Sequence, residues 1–181
     1  MKKFRVVGTS LMLAMILAAS CNSKKQEGTH EHDHAMETSE QASKSVESGA
    51  ILAFKDDESA KVFHHYLTVK NALVEGDAAA ASEGAKKLLA VDGFQGQEAA
   101  KKIEAASDIA VQRDAFVALS ASVEQLVASQ VSSGAVYKQY CPMAFEGKGG
   151  YWLSDQEAIR NPYYGDKMLT CGRVDKVMGE L

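Results

Sequence analysis

Four sulfur-bearing residues near the end of the 181-residue chain are the ones best suited to chemistry: Cys141 and Met143, separated by Pro142, and Met168 and Cys171, separated by Leu169-Thr170. Each pair joins a thiol to a thioether. Thiolate and thioether are soft donors, and together they select Cu(I) and related ions such as Ag(I) over Mg, Ca or Mn. Pro142 stiffens the backbone between the first two sulfurs, and the +3 spacing of Met168 and Cys171 puts the second two on one side of a turn. The expectation is a soft-metal site built from Cys141, Met143, Met168 and Cys171.

The same cysteines carry a second expectation. Two thiols in an exported domain commonly join, and a Cys141–Cys171 disulfide would close a loop of about 30 residues, worth roughly 3–4 kcal/mol in the chain-entropy view. Met143 and Met168 would then be gap-fillers beneath aromatic rings. The residues alone leave both readings open. Zinc suits the set less, because two thiolates without an assured histidine fall short of its usual ligands.

The stretch that holds these sulfurs also holds both prolines, the single Trp and five of the six tyrosines. Tyr137, Tyr140, Phe145, Tyr151, Trp152, Tyr163 and Tyr164 are placed to exclude water around a bound ion. Alternation over 136–140 reads as a short strand, the glycine-rich 146–150 as a turn and 151–153 as a return strand. Gly147, Gly149 and Gly150 lack Walker spacing and a following Ser or Thr, so they form a hairpin turn and not a phosphate loop. Ser154-Asp155-Gln156-Glu157 has the form of a capping box and predicts one or two helical turns ending before Asn161-Pro162.

Helical sequence precedes this stretch and supplies the scaffold. Asp56, Asp57 and Glu58 suit the positive end of a helix over 56–75, with Val62, Tyr66, Val69 and Leu73 on one face and Gly76 as its stop. Asp77 caps a second, Ala-rich helix through about Ala90, so close behind the first that the two must be antiparallel neighbours. A third is expected over 97–106. The fourth is led in by Ile109 and Arg113, carries Phe116, Leu119, Val123 and Leu126 at helical spacing, and stops at Ser132-Ser133-Gly134. His64 and His65, in the first helix, read as structural or surface histidines more readily than as ligands.

The first twenty residues have the form of an export signal, with Lys2, Lys3 and Arg5 ahead of an apolar run over 11–19 that is too short to span a bilayer. Leu17-Ala18-Ala19-Ser20-Cys21 resembles a bacterial lipobox, with Ala18 where Leu is more usual, and predicts a lipid anchor on Cys21. Residues 22–50 are poor in large apolar groups and read as a disordered tether spanning roughly 30 Å. Inside it, His30, His32, His34 and Met36 alternate with carboxylates and form a plausible weak, exchangeable secondary site for Cu or Zn. The rival reading is a solubilising tail.

Composition excludes some classes. Removing residues 1–20 leaves 17 basic against 24 acidic side chains, a net charge of about −7 with His neutral, which argues against a nucleic-acid partner. No Ser/His/Asp set, nucleotide loop or CxxC motif points to an enzyme.

Longer words in the sequence are familiar. Tyr140-Cys141-Pro142-Met143-Ala144, Tyr151-Trp152-Leu153-Ser154, the run from Ile159-Arg160-Asn161-Pro162 through Tyr163-Tyr164-Gly165-Asp166 to Lys167-Met168-Leu169, and Cys171-Gly172 closely resemble a bacterial domain of unknown function. So do Tyr66-Leu67-Thr68-Val69-Lys70-Asn71-Ala72-Leu73 and Arg113-Asp114-Ala115-Phe116. That family occurs in periplasmic lipoproteins and at the C-terminus of adaptor subunits of copper/silver efflux systems. The resemblance covers roughly 60–175 and implies heavy-metal handling, without saying which of the four sulfurs bind.

The fold expected is mainly α: an antiparallel four-helix bundle over 51–134, followed over 135–178 by a small irregular lobe with a short β-hairpin packed on it as part of one domain. The function expected is a non-catalytic, lipid-anchored Cu(I)/Ag(I) chaperone or buffer on the periplasmic side of the inner or outer membrane, linked to a heavy-metal efflux adaptor or pump. The alternative is an interaction module that docks on such an adaptor, with Cys141–Cys171 as a staple.

Overall fold

Asp56 opens the first helix by accepting a hydrogen bond from the Ser59 N–H at 2.7 Å, and the helix α1 (Asp57–Glu75) ends where Gly76 turns left-handed at φ 78°. This is the capping logic of an acidic N-cap and a glycine stop. The computed structural model describes residues 51–180 of the chain. Asp77 repeats the device for α2 (Ala78–Leu89), accepting from Ala80 N at 2.9 Å. Helix α3 spans Gln97–Ala105, and α4 spans Ile109–Gln130 behind the cap Asp108. A real break therefore separates α3 from α4. It is held by Gln112, fully buried, whose Nε2 lies 3.2 Å from the Ile103 carbonyl and 2.8 Å from that of Ala106.

Helix α1 packs on α2, α2 on α3, α3 on α4, and α4 returns to α1. Tyr66, Val69, Leu73, Leu88, Ile103, Phe116, Leu119 and Val123 have no exposure at all. Each such side chain contributes roughly 1.5–3 kcal/mol of burial. Tyr66 stacks on Phe116 with ring centroids 5.2 Å apart.

The remainder is an antiparallel sheet of four strands, β1 (Ala53–Phe54), β2 (Val131–Cys141), β3 (Gly150–Ser154) and β4 (Arg173–Glu180), in which the expected hairpin forms between β2 and β3 and is extended by β1 and β4. Strand β2 is its centre and pairs with the other three. Ser132, Ser133 and Gly134 do not form a loop: α4 ends at Gln130 and the chain enters β2 at once, the Ser133 hydroxyl donating to the Ile51 carbonyl at 2.8 Å. The expected boundary at residue 134 thus falls inside a strand.

The one or two helical turns expected to start at the capping box and end before Asn161 do not form. Ser154 is the last residue of β3, and its hydroxyl accepts from Gln156 N at 3.0 Å in a local turn. The carbonyls of Gln156, Glu157 and Ala158, needed for i→i+4 bonds, instead face Nε2 of the buried Gln139 at 2.9, 3.0 and 3.4 Å. A buried amide donor outcompetes a marginal single turn.

Helices and sheet share one hydrophobic core, in which Val136, Cys141, Trp152 and Leu153 join the helical residues. Tyr66 is the polar link between them. Its hydroxyl lies 2.9 Å from Ser120 Oγ and accepts from the Leu153 N–H at 2.9 Å. Tyr66→Phe leaves that N–H without a partner in a dry interior and is expected to cost about 1–3 kcal/mol. Urea unfolding should show a lower midpoint with an unchanged m-value.

Candidate metal centre

Cys141 is the last residue of β2, fully buried, and its register partner on β3 is Gly150. A glycine there leaves the space opposite the thiol to Tyr163. A Cβ built at position 150 would lie 2.7 Å from the Tyr163 ring. Cys171 arrives from the other side, just ahead of β4, and is half-buried. The register Tyr140↔Arg173 between β2 and β4 brings the two cysteines beside each other. Their Sγ atoms stand 3.5 Å apart, both as free thiols. That is well beyond the roughly 2.05 Å of a disulfide bond. The neighbouring Cys141 thiol, through its hydrogen bond, and secondarily burial hold the Cys171 thiol above its ordinary pKa.

Aromatic rings wall the pair. Trp152 and Tyr163 meet edge to face at 5.9 Å, Phe145 and Tyr163 at 5.1 Å, and Phe116 closes the stack from α4 at 6.1 Å from Tyr163. Burial pushes the Tyr163 phenol well above its usual pKa, so it stays neutral and donates its hydrogen bond to the Tyr151 carbonyl. Gly172 lets the backbone pass against the indole, where a Cβ would come 2.9 Å from Trp152 Cη2.

The two thioethers are placed differently from the thiols and from each other. Met143 is 53% exposed, while its carbonyl is fixed by the Tyr164 hydroxyl at 2.6 Å. Met168 is half-buried at the end of a 3₁₀ turn, Gly165–Met168. The geometry therefore brings Cys141 and Cys171 together outright and puts the methionines at the margin. Cys21, His30, His32, His34 and Met36 lie outside the described residues. His64 is exposed and His65 half-buried on α1, where desolvation lowers the His65 pKa. Among the described residues no group of three or more His, Cys, Asp or Glu side chains could hold a metal ion. The thiol pair offers two soft donors, which could hold a soft ion.

Asn161 governs where Cys171 sits. Fully buried, it donates from Nδ2 to the Cys171 carbonyl at 2.8 Å and from its backbone N–H to the Leu169 carbonyl at 2.8 Å. Its Oδ1 accepts from Tyr163 N at 2.9 Å and its carbonyl from Gly165 N at 3.0 Å. The backbone and side chain of this one residue together fold the 161–171 loop back on itself. Asn161→Ala strands the Cys171 carbonyl and the Tyr163 N–H, and is expected to lower stability by about 2–4 kcal/mol. Thermal unfolding followed by the fluorescence of Trp152 measures this, and Asn161→Asp, which keeps the acceptor to Tyr163, should lose less.

Residues 62–134 match the family described as protein of unknown function DUF3347. The DUF3347 match begins in α1 and ends within β2, so it covers the helices and stops short of Cys141. No curated protein and no solved structure matches the chain. Two side chains of the DUF3347 segment nevertheless reach the sulfur pair's surroundings. Tyr66 holds β3 as described. Arg113 donates from Nε to the Pro162 carbonyl at 2.9 Å and from Nη2 to the Leu73 carbonyl at 2.9 Å, tying α4, the end of α1 and the 161–171 loop together.

Sequence reasoning overlooked Asn161, Gln139 and Arg113 as positioning residues. A signal existed for the first two: Asn before Pro favours a side-chain turn, and Gln139 lies two residues before Cys141, on the same strand face.

Proposed function

We propose that this chain is a non-catalytic binding protein for Cu(I) or Ag(I), a chaperone or buffer in which the helices, arranged as an antiparallel four-helix bundle, hold a sulfur site at the edge of the sheet. The observation that carries the reading is the approach of two free thiols to 3.5 Å beneath an aromatic wall. Cys141 and Cys171 supply charge and affinity. Met143 and Met168 supply the softer donors around them, and the rings keep water and oxidants away. Lipid attachment at Cys21 would hold the domain on the periplasmic face of a membrane, near an efflux adaptor or pump. His30, His32, His34 and Met36 would collect ions beside it.

The same separation favours a second reading, in which oxidation joins the thiols into a staple and the domain serves as an adaptor-docking module. Anaerobic cuprous titration against a colorimetric chelator separates the two, with Trp152, the single indole, as internal reporter. One equivalent held tightly against the chelator, with quenching of Trp152, supports the binding reading. A chain recovered lighter by two hydrogens in non-reducing mass spectrometry, and inert to cuprous ion, supports the staple.

A further inference from the structure

Resting on that reading, the four sulfurs divide into distinct roles: we propose that Met168 is the third donor beside Cys141 and Cys171, and that Met143 is the outer thioether through which the ion enters and leaves. The separation of the thiols is the starting point. With a metal–thiolate bond of roughly 2.3 Å, the zinc–thiolate value, sulfurs 3.5 Å apart subtend an angle of about 100° at a shared ion. A linear two-sulfur complex needs them about 4.6 Å apart on the same bond length. The pair as it stands is spaced for an ion with at least one further donor.

Met168 is built to be that donor. The 3₁₀ turn Gly165–Met168 continues through Leu169 in right-handed helical conformation, and the Cys171 N–H donates to the Met168 carbonyl at 3.0 Å. Such an i→i+3 bond closes a turn whose ends lie within about 7 Å of each other, so the backbone brings Met168 within side-chain reach of Cys171. It is half-buried, and Asn161 pins the same loop through Leu169 and Cys171. Met143 has the opposite character. Its backbone is held by Tyr164 and its own right-handed turn, but the thioether is more than half in water. A fixed backbone with an exposed soft donor, two residues from a buried thiol, is the arrangement of a ligand met first by an incoming ion and last by a departing one.

The test uses the full chain with alanine at His30, His32 and His34, so that only the sulfur site reports. Methionine-to-leucine changes conserve volume and are mild in cores. Met168→Leu is expected to weaken Cu(I) at equilibrium by at least about tenfold, the lower end of what even an outer partner is worth. X-ray absorption should count three sulfurs around copper in the parent and two in Met168→Leu. Met143→Leu is expected to retain three sulfurs, lose less affinity than Met168→Leu, and slow transfer of copper to a competing chelator. Two or four sulfurs in the parent, or a larger affinity loss from Met143→Leu than from Met168→Leu, overturns the division of roles and leaves the thiol site standing. A parent that binds no Cu(I), or binds it equally well with serine at both Cys141 and Cys171, overturns the site and the division together.

Discussion

Serine in place of Cys171 is expected to remove tight cuprous binding, with a loss well beyond the about 100-fold that an outer-shell partner costs. The hydroxyl is a hard, weakly acidic oxygen where the ion requires a soft anion, and a single thiolate remains. Cys141→Ser should have the same effect on the ion but a different effect on the fold. Cys141 has no exposure, so a serine hydroxyl there is buried in an apolar wall and is expected to cost about 1–3 kcal/mol. Cys171 is half-buried beside the surface, and its replacement should leave the urea midpoint nearly unchanged. Chelator competition and urea unfolding on the two variants in parallel therefore separate ligand loss from structural damage. Parent-like copper affinity in both would end the thiol reading.

Raising the pH should strengthen copper binding by about tenfold per unit for each thiol proton displaced. The direction follows from Cys171, whose thiol is held above its ordinary pKa by the hydrogen bond it shares with Cys141 and then by burial. Only the thiolate binds the ion, so below that pKa every loading event must expel the proton, and the penalty shrinks as pH rises. The rise should continue beyond pH 8. A site made of histidines would instead level off once imidazole is neutral, near pH 6.5–7, and one made of thioethers alone would be flat. Affinity measured from pH 6 to 9, corrected for the chelator's own titration, distinguishes the three.

The helices were legible because their signals are local. Asp56, Gly76 and Asp77 mark ends by cap chemistry, and Tyr66, Val69, Leu73, Phe116 and Leu119 repeat at helical spacing, so every one lands in the core. Strand β4 was missed because over 173–179 its residues are mostly exposed, Met178 alone among them being buried. Its existence depends on β2, forty residues earlier. Strand β1 has two residues and no pattern to read. The candidate ligands were legible by type, since sulfur donors announce themselves. Which of them approach one another was not, because the approach of Cys141 and Cys171 is set by a non-local register and by Asn161, neither of which leaves a periodic trace. The capping box failed for the converse reason: a correct local signal lost to the distant amide of Gln139.

The family match closes at residue 134, four residues into β2, whose remaining seven residues carry β3 and β4. A fragment trimmed to the matched helices would strip the cover from Tyr66 and Phe116 and leave a truncated strand end with open donors and acceptors, an invitation to self-association. Expression boundaries for any relative should accordingly be drawn past the last strand. A natural fusion that carries these helices elsewhere must bring its own replacement for the lost strands.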